Sequence, residues 1–257
     1  YIALNTVKAD FGATNVRSLH TVNIDQNAYD IRTNNGLKIV PDGFNASVRL
    51  GNWWSPGNNQ QYNEVVGGNP INGESVTYSM QVDAQKGAIL LLHYAMIFEE
   101  SNHDRIDQPY FKLTVKDQWG DIVNGECGTQ DFFCPMAADE MISEAEKRIE
   151  KEGWKEFKAE NHPERDVDRG FNGINIWWKD WSTMGLNLSD YDGANLTITI
   201  ESRGCGMSAH YGYGYFTLSC TSASIETEQC GLNPTNTAIA PEGFDYEWYA
   251  LQDSVAY

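Results

Sequence analysis

Cations, histidines and long apolar runs are all scarce in this sequence. Lys and Arg number 18 against 36 Asp and Glu, a formal net charge of −18. A surface that acidic repels nucleic-acid phosphates and anionic membranes, so neither is expected as a partner. No stretch approaches the ~20 apolar residues needed to span a bilayer. The longest, AILLLHYAMIF at 88–98, has the length of a long buried strand. There are 5 histidines, and none of the cysteines (Cys127, Cys134, Cys205, Cys220, Cys230) forms a CxxC pair. Zinc is therefore a poor expectation, and disulfides in an oxidising compartment a better one. No GxSxG elbow is present, and acids are so widespread that no two stand out as a hydrolase pair. No signal peptide opens the chain at Tyr1, so an export signal is expected to have been removed or to lie outside these residues.

What the chain has in quantity is apolar and aromatic surface and turn residues. It is 41% hydrophobic and 12% aromatic over 257 residues, with 23 glycines. That is enough for a packed core, in one large β domain or two smaller ones. YDIRT (29–33), LKIV (37–40) and ASVRLG (46–51) read as short strands parted by the breakers NNG and PDG. In ESVTYSMQV (74–82), Val76, Tyr78 and Met80 share one face while Thr77, Ser79 and Gln81 share the other, the period of a half-buried strand. YFKLTVKD (110–117) and NLTITIES (195–202) alternate likewise. AILLLHYAMIF does not, the mark of a central strand covered on both faces. Many short strands without a βαβ rhythm predict a mostly β, antiparallel sandwich.

One segment interrupts the pattern. Residues 136–169 are rich in Ala, Glu and Lys, and Met141, Ala145 and Ile149 stand four apart with Ile142 beside them. This predicts one inserted amphipathic helix ending at Gly153. Beyond about residue 225 the composition shifts again. The stretch 228–257 carries Pro-Gly punctuation and then Tyr246 and Trp248 on one strand face. It is expected either to pack on the sandwich or to open a further domain.

The candidate sites follow from residue chemistry. In RGCGMSAHYGYGYFTLSC (203–220), Tyr211, Tyr213 and Tyr215 alternate with Gly212 and Gly214. The pattern describes a strand whose small residues let another layer approach, with His210 on the glycine face in a structural role. His93 is expected to be a hydrogen-bonded core histidine. His103 lies in a polar loop with Glu100, Asp104 and Asp107; these carboxylates are weak metal candidates, and Ca2+ is the ion they would suit. Trp53 and Trp54 precede an Asn-rich loop, where one ring facing outward could stack on a sugar. For Trp177, Trp178 and Trp181 two readings stand: packing of the core and of the inserted helix, or an exposed ring at Trp178 for a ligand.

Three ordered stretches carry a family resemblance. They are SVRLGN with QYNEVV and SVTYSMQV; HYAMIFEESNHDRIDQPYFKLTVKDQWGDIV; and WKDWSTMGLNLSDYDGANLTITIESRGCGMSAHYGYGYFTLSC. In this order the chain resembles a surface module of Bacteroidetes exported adhesin and gliding-motility-type proteins, linked to type IX secretion. The resemblance covers roughly residues 44–220 in patches. TAIAPEGFDYEWY near the end looks like the first strands of an immunoglobulin-like or polycystic-kidney-disease-like repeat. The resemblance implies a jelly-roll-like sandwich over 1–225 and the start of a repeat over 226–257. It implies a non-enzymatic extracellular adhesion or scaffold role within a longer multi-domain chain, with a glycan or a surface protein as partner. A carbohydrate-binding module or a glycoside hydrolase is the alternative. It further implies disulfides Cys127–Cys134 and Cys205–Cys220, with Cys230 paired beyond Tyr257; a Cys220–Cys230 bridge is the rival pairing.

Overall fold

The computed structural model describes residues 21–52, 73–84, 86–158, 174–206, 210–221, 224–228 and 235–239. Trp53 and Trp54, the 159–173 part of the charged insertion, Cys230 and the segment 240–257 lie outside the described residues. The strands are β1 (Thr21–Asn23), β2 (Tyr29–Asp30), β3 (Leu37–Lys38), β4 (Ser47–Asn52), β5 (Gly73–Gln81), β6 (Ile89–Glu99), β7 (Tyr110–Lys116) and β8 (Thr129–Phe133). They continue with β9 (Trp154–Phe157), β10 (Ile176–Asn187), β11 (Asn195–Arg203), β12 (Gly212–Thr221), β13 (Ser224–Glu228) and β14 (Thr235–Ile239).

Two antiparallel sheets carry the fold. A six-stranded sheet runs β1-β4-β12-β6-β10-β9 and a four-stranded sheet runs β5-β11-β7-β8. The chain crosses between them at β4–β5, β5–β6, β6–β7, β8–β9, β10–β11 and β11–β12. That is the antiparallel sandwich expected of the sequence, with the jelly-roll-like crossing between sheets that the resemblance implies. β13 and β14 pair with each other as a separate hairpin, and the expected boundary at 225 falls inside β13.

Side-chain alternation along β6 explains its uniform hydrophobicity. Leu90, Leu92, Tyr94, Met96 and Phe98 face the second sheet, where they meet Val76, Leu113, Val115, Ile198 and Ile200. Ala95 and Ile97 face the other way and pack with Leu37, Trp178, Tyr213 and Tyr215. The strand is thus buried on both faces, because the segment around Leu37 covers the outside of the six-stranded sheet. Each fully buried Leu, Ile or Phe side chain contributes roughly 1.5–3 kcal/mol, so this two-sided burial makes β6 the axis of the domain. The glycines of β12 do what their spacing suggested. A Cβ on Gly214 would lie 2.5 Å from the Phe111 ring of the second sheet, and only glycine lets that ring come so close.

The helix spans Ile142–Glu152, and Gly153 closes it in the left-handed region at φ 72°, as its sequence position predicts. Its buried contacts differ from the expected stripe. Ala145 and Ile149 pack inward, whereas Met141 and Ile142 are 68% and 66% exposed. Both lie at the helix start, clear of the sheet. Anchorage comes instead from Arg148, which pairs with Glu140 and donates to the Pro135 carbonyl.

The expected disulfides are corrected. Among the described residues, no disulfide joins Cys127, Cys134, Cys205 or Cys220. Cys127 and Cys134 lie at opposite ends of the 5-residue strand β8, which at ~3.4 Å per residue spans about 17 Å. Cys205 is hydrogen-bonded through its backbone to His210, at the start of β12, while Cys220 pairs with Leu90 near the far end. Gly212 and Cys220 alone are separated by about 26 Å of extended strand. A disulfide needs Cα atoms within about 7 Å.

Candidate functional site

The outer face of the six-stranded sheet has a closed end and an open end. At the closed end Tyr211, Tyr213 and Tyr215 point outward from β12 and are buried beneath the segment that follows β2. The anchor is Asp30, itself 4% exposed. One carboxylate oxygen accepts the hydroxyls of Tyr213 at 2.7 Å and Tyr215 at 2.8 Å, and the other accepts the Arg32 backbone N–H at 2.7 Å. Burial, reinforced by the Asp30 charge, pushes the Tyr213 and Tyr215 hydroxyls well above their ordinary range, so both stay protonated donors. Sequence reading missed Asp30. Its only signal was an acid at the second position of the short β run YDIRT.

Beyond Tyr215 the same face turns polar, through Thr217, Ser219 and Thr221, and the cover lifts. A groove of about 670 Å³ opens there. Its floor holds Leu91, His93, Thr183 and Ser219; its walls include Tyr29, Lys38, Asp42, Phe44, Asp180 and Trp181. A register shift in β10 between Lys179 and Ser182 places Trp181 at the wall. The Trp181 indole N–H donates to the Lys38 carbonyl at 2.7 Å, and its backbone N–H to the Asp180 carboxylate at 2.8 Å. His93 shares a 2.9 Å hydrogen bond with the Thr183 hydroxyl and tilts against Phe44 at 4.6 Å between ring centres. Histidine here does not fill the inter-sheet core; it forms the groove floor. Asp42 pairs with Lys38 at 2.6 Å and Asp180 with Lys155 at 3.1 Å. Aromatic walls and fixed hydrogen-bonding groups suit a flat, hydroxyl-rich ligand.

The tryptophans divide three ways. Trp177 faces the inter-sheet core and donates its indole N–H to Glu100 at 2.7 Å. Trp178 is 6% exposed, packed over Gly36 and capped by the Lys155 ammonium 4.5 Å from the ring centre. Burial removes it from the ligand candidates. Trp181 is the member of the group that reaches the groove.

The carboxylates proposed for Ca2+ do not converge. Glu100 is engaged by Trp177, Asp104 is exposed, and the Asp107 carboxylate lies against Gly206. Among the described residues the group able to hold an ion is a different one: His103, Cys205 and His210, with ligand atoms all within 4.8 Å of one another. Its donors are nitrogen and sulfur, and Ca2+ prefers neither. His210 does not lie on the glycine face of β12 but precedes the strand. Its ring is 5.2 Å from that of His103, and its backbone N–H donates to the Cys205 sulfur at 3.3 Å. Burial, with the neighbouring His103 ring adding to it, lowers His210 to about 4, so at neutral pH it is uncharged.

No helix among the described residues is long and apolar enough to cross a membrane. No family model matches the sequence, and no curated protein matches it. Among solved structures, TmCBM61 in complex with β-1,4-galactotriose is similar at a TM-score of 0.34 and 8% identity, over 84% of this chain and 87% of that chain. A likeness that slight bears no weight for function.

Proposed function

We propose that this chain is a non-enzymatic extracellular module that binds a glycan in the groove on the outer face of its six-stranded sheet, in an adhesion or scaffold role. The observation that carries this reading is the pairing of an indole wall, Trp181, with Tyr29 and Phe44 around a floor of Thr183, Ser219 and His93. Aromatic faces stack on the C–H faces of a sugar ring while hydroxyls and charged rims take its hydroxyl groups. The residue that matters is thus Trp181, in place of the Trp178 expected from sequence. The resemblance to exported adhesins supports the extracellular setting and a longer multi-domain chain.

Binding is the better reading than glycoside hydrolysis on one specific ground. Both groove carboxylates, Asp42 and Asp180, are largely exposed and ion-paired with lysines, whereas a general acid needs an apolar pocket that keeps it protonated. A glycan array followed by calorimetry tests the proposal. Binding to a polysaccharide or oligosaccharide is expected, and Trp181→Ala should weaken it at least ~10-fold, about 1.4 kcal/mol. Binding that survives Trp181→Ala would place the site elsewhere. Release of reducing ends from a bound glycan would favour the hydrolase instead.

A further inference from the structure

We propose that His103, Cys205 and His210 form a binding site for a transition-metal ion of the zinc class, which staples the turn after β6 to the turn between β11 and β12. Cys205 and His210 stand five residues apart on one connection, and the sandwich brings His103, from more than 100 residues away in sequence, against them. His103 is held by its own carbonyl, which accepts from the Ala138 backbone N–H at 2.9 Å and from Gln108 at 2.6 Å. Cys205 is 1% exposed and closes back on His210 through a 2.9 Å backbone hydrogen bond.

Two ring nitrogens at this point, His103 Nε2 and His210 Nδ1, are buried and have no hydrogen-bond partner among the described residues. Buried polar atoms are rarely left so, and a bound ion is one of the few explanations that satisfies two at once. In a tetrahedral zinc site with bonds of ~2.0–2.3 Å, ligand atoms stand roughly 3.3–3.8 Å apart. The observed set, within 4.8 Å, closes to that by side-chain rotation of about an ångström. Two imidazoles and a thiolate select zinc-like ions over Ca2+ or Mg2+ and leave a fourth position for water. A cysteine nucleophile is the weaker reading, since a sulfur this buried is closed to substrate.

The test uses the full chain, stripped with a chelator and titrated calorimetrically with Zn2+, with Ca2+ as control. One Zn2+ per chain is expected, at micromolar affinity or tighter, with a rise in Tm that Ca2+ does not reproduce. His103→Gln and Cys205→Ser should each weaken it by at least the ~10–100-fold typical of losing even an outer-shell partner. Glu100→Gln should leave it unchanged. Co2+ should give a thiolate-to-metal charge-transfer band that disappears in Cys205→Ser. If Cys205→Ser does not fold, His103→Gln and the wild-type cobalt spectrum decide. Absence of stoichiometric Zn2+, indifference of Zn2+ binding to His103→Gln, or a cobalt complex without the thiolate band would each overturn the assignment.

Discussion

The two ends of the six-stranded sheet's outer face use the same strands and end in opposite states. At one end Tyr213, Tyr215, Ile97 and Trp178 are sealed under a segment tied down by Asp30. At the other, His93, Thr183 and Ser219 look into an open groove. Strand geometry is common to both, because β6, β10 and β12 run the whole length. What differs is the outward side chains: large aromatic and aliphatic groups where the cover sits, and Thr183, Ser219 and Thr221 beside Leu91 and His93 where it lifts. The buried carboxylate Asp30 is the chain neighbour of Tyr29, which lines the groove.

That contrast can be broken most sharply at Asp30. Asp30→Ala leaves two buried tyrosine hydroxyls and the Arg32 N–H without their acceptor and should cost about 3–5 kcal/mol, read from denaturant midpoints. Glycan binding should weaken with it, because the groove wall loses its anchor. A loss under about 1 kcal/mol would show the two ends to be independent. Next comes Gly214→Ala, whose Cβ would sit 2.5 Å from Phe111; overpacking of this kind costs about 1–3 kcal/mol. It should lower Tm and leave the groove's affinity nearly intact.

Alkaline pH sharpens the comparison through the sealed end. The folded state holds Tyr213 and Tyr215 above their unfolded value of about 10, so their contribution is complete below that pH. It falls as pH rises further, because the unfolded chain ionises first. Tyr78 and Tyr94 in the inter-sheet core, both raised to about 12 by burial, add to the same decline. The unfolding free energy should be nearly level up to about pH 9 and lower by roughly 1.4 kcal/mol per tyrosine at about pH 11. Tyr215→Phe should make the drop shallower. The smallest effect on the fold belongs to the open end: Ser219→Ala should change stability by no more than about 0.5 kcal/mol. A larger loss there would mean that the groove floor is itself a packed core.

Much of the fold was legible in the sequence. Period-two alternation placed β5, β7 and β11, and the lack of it placed β6 at the centre. Gly153 marked the helix end, and the Gly-Tyr alternation announced that another layer approaches the glycine face of β12. These are local rules, carried by neighbours two to four residues apart. The site was far less legible. Asp30 meets Tyr213 across 183 residues, and His103 meets His210 across more than 100. A sequence motif search weighs spacing, and no spacing pattern marks either meeting. The expected disulfides failed for the same reason, since nearness in sequence along an extended strand means distance in space.

The sequence by itself determined that this chain is an acidic, antiparallel, mostly β protein with one helix, because hydrophobic period and turn chemistry are properties of adjacent residues. Only the tertiary structure decided which tryptophan of the 177–181 group lines the groove, which carboxylate is buried, and that two histidines and a thiol share one corner. Those outcomes depend on sheet order and on a bulge in β10, set by the packing of the whole sandwich.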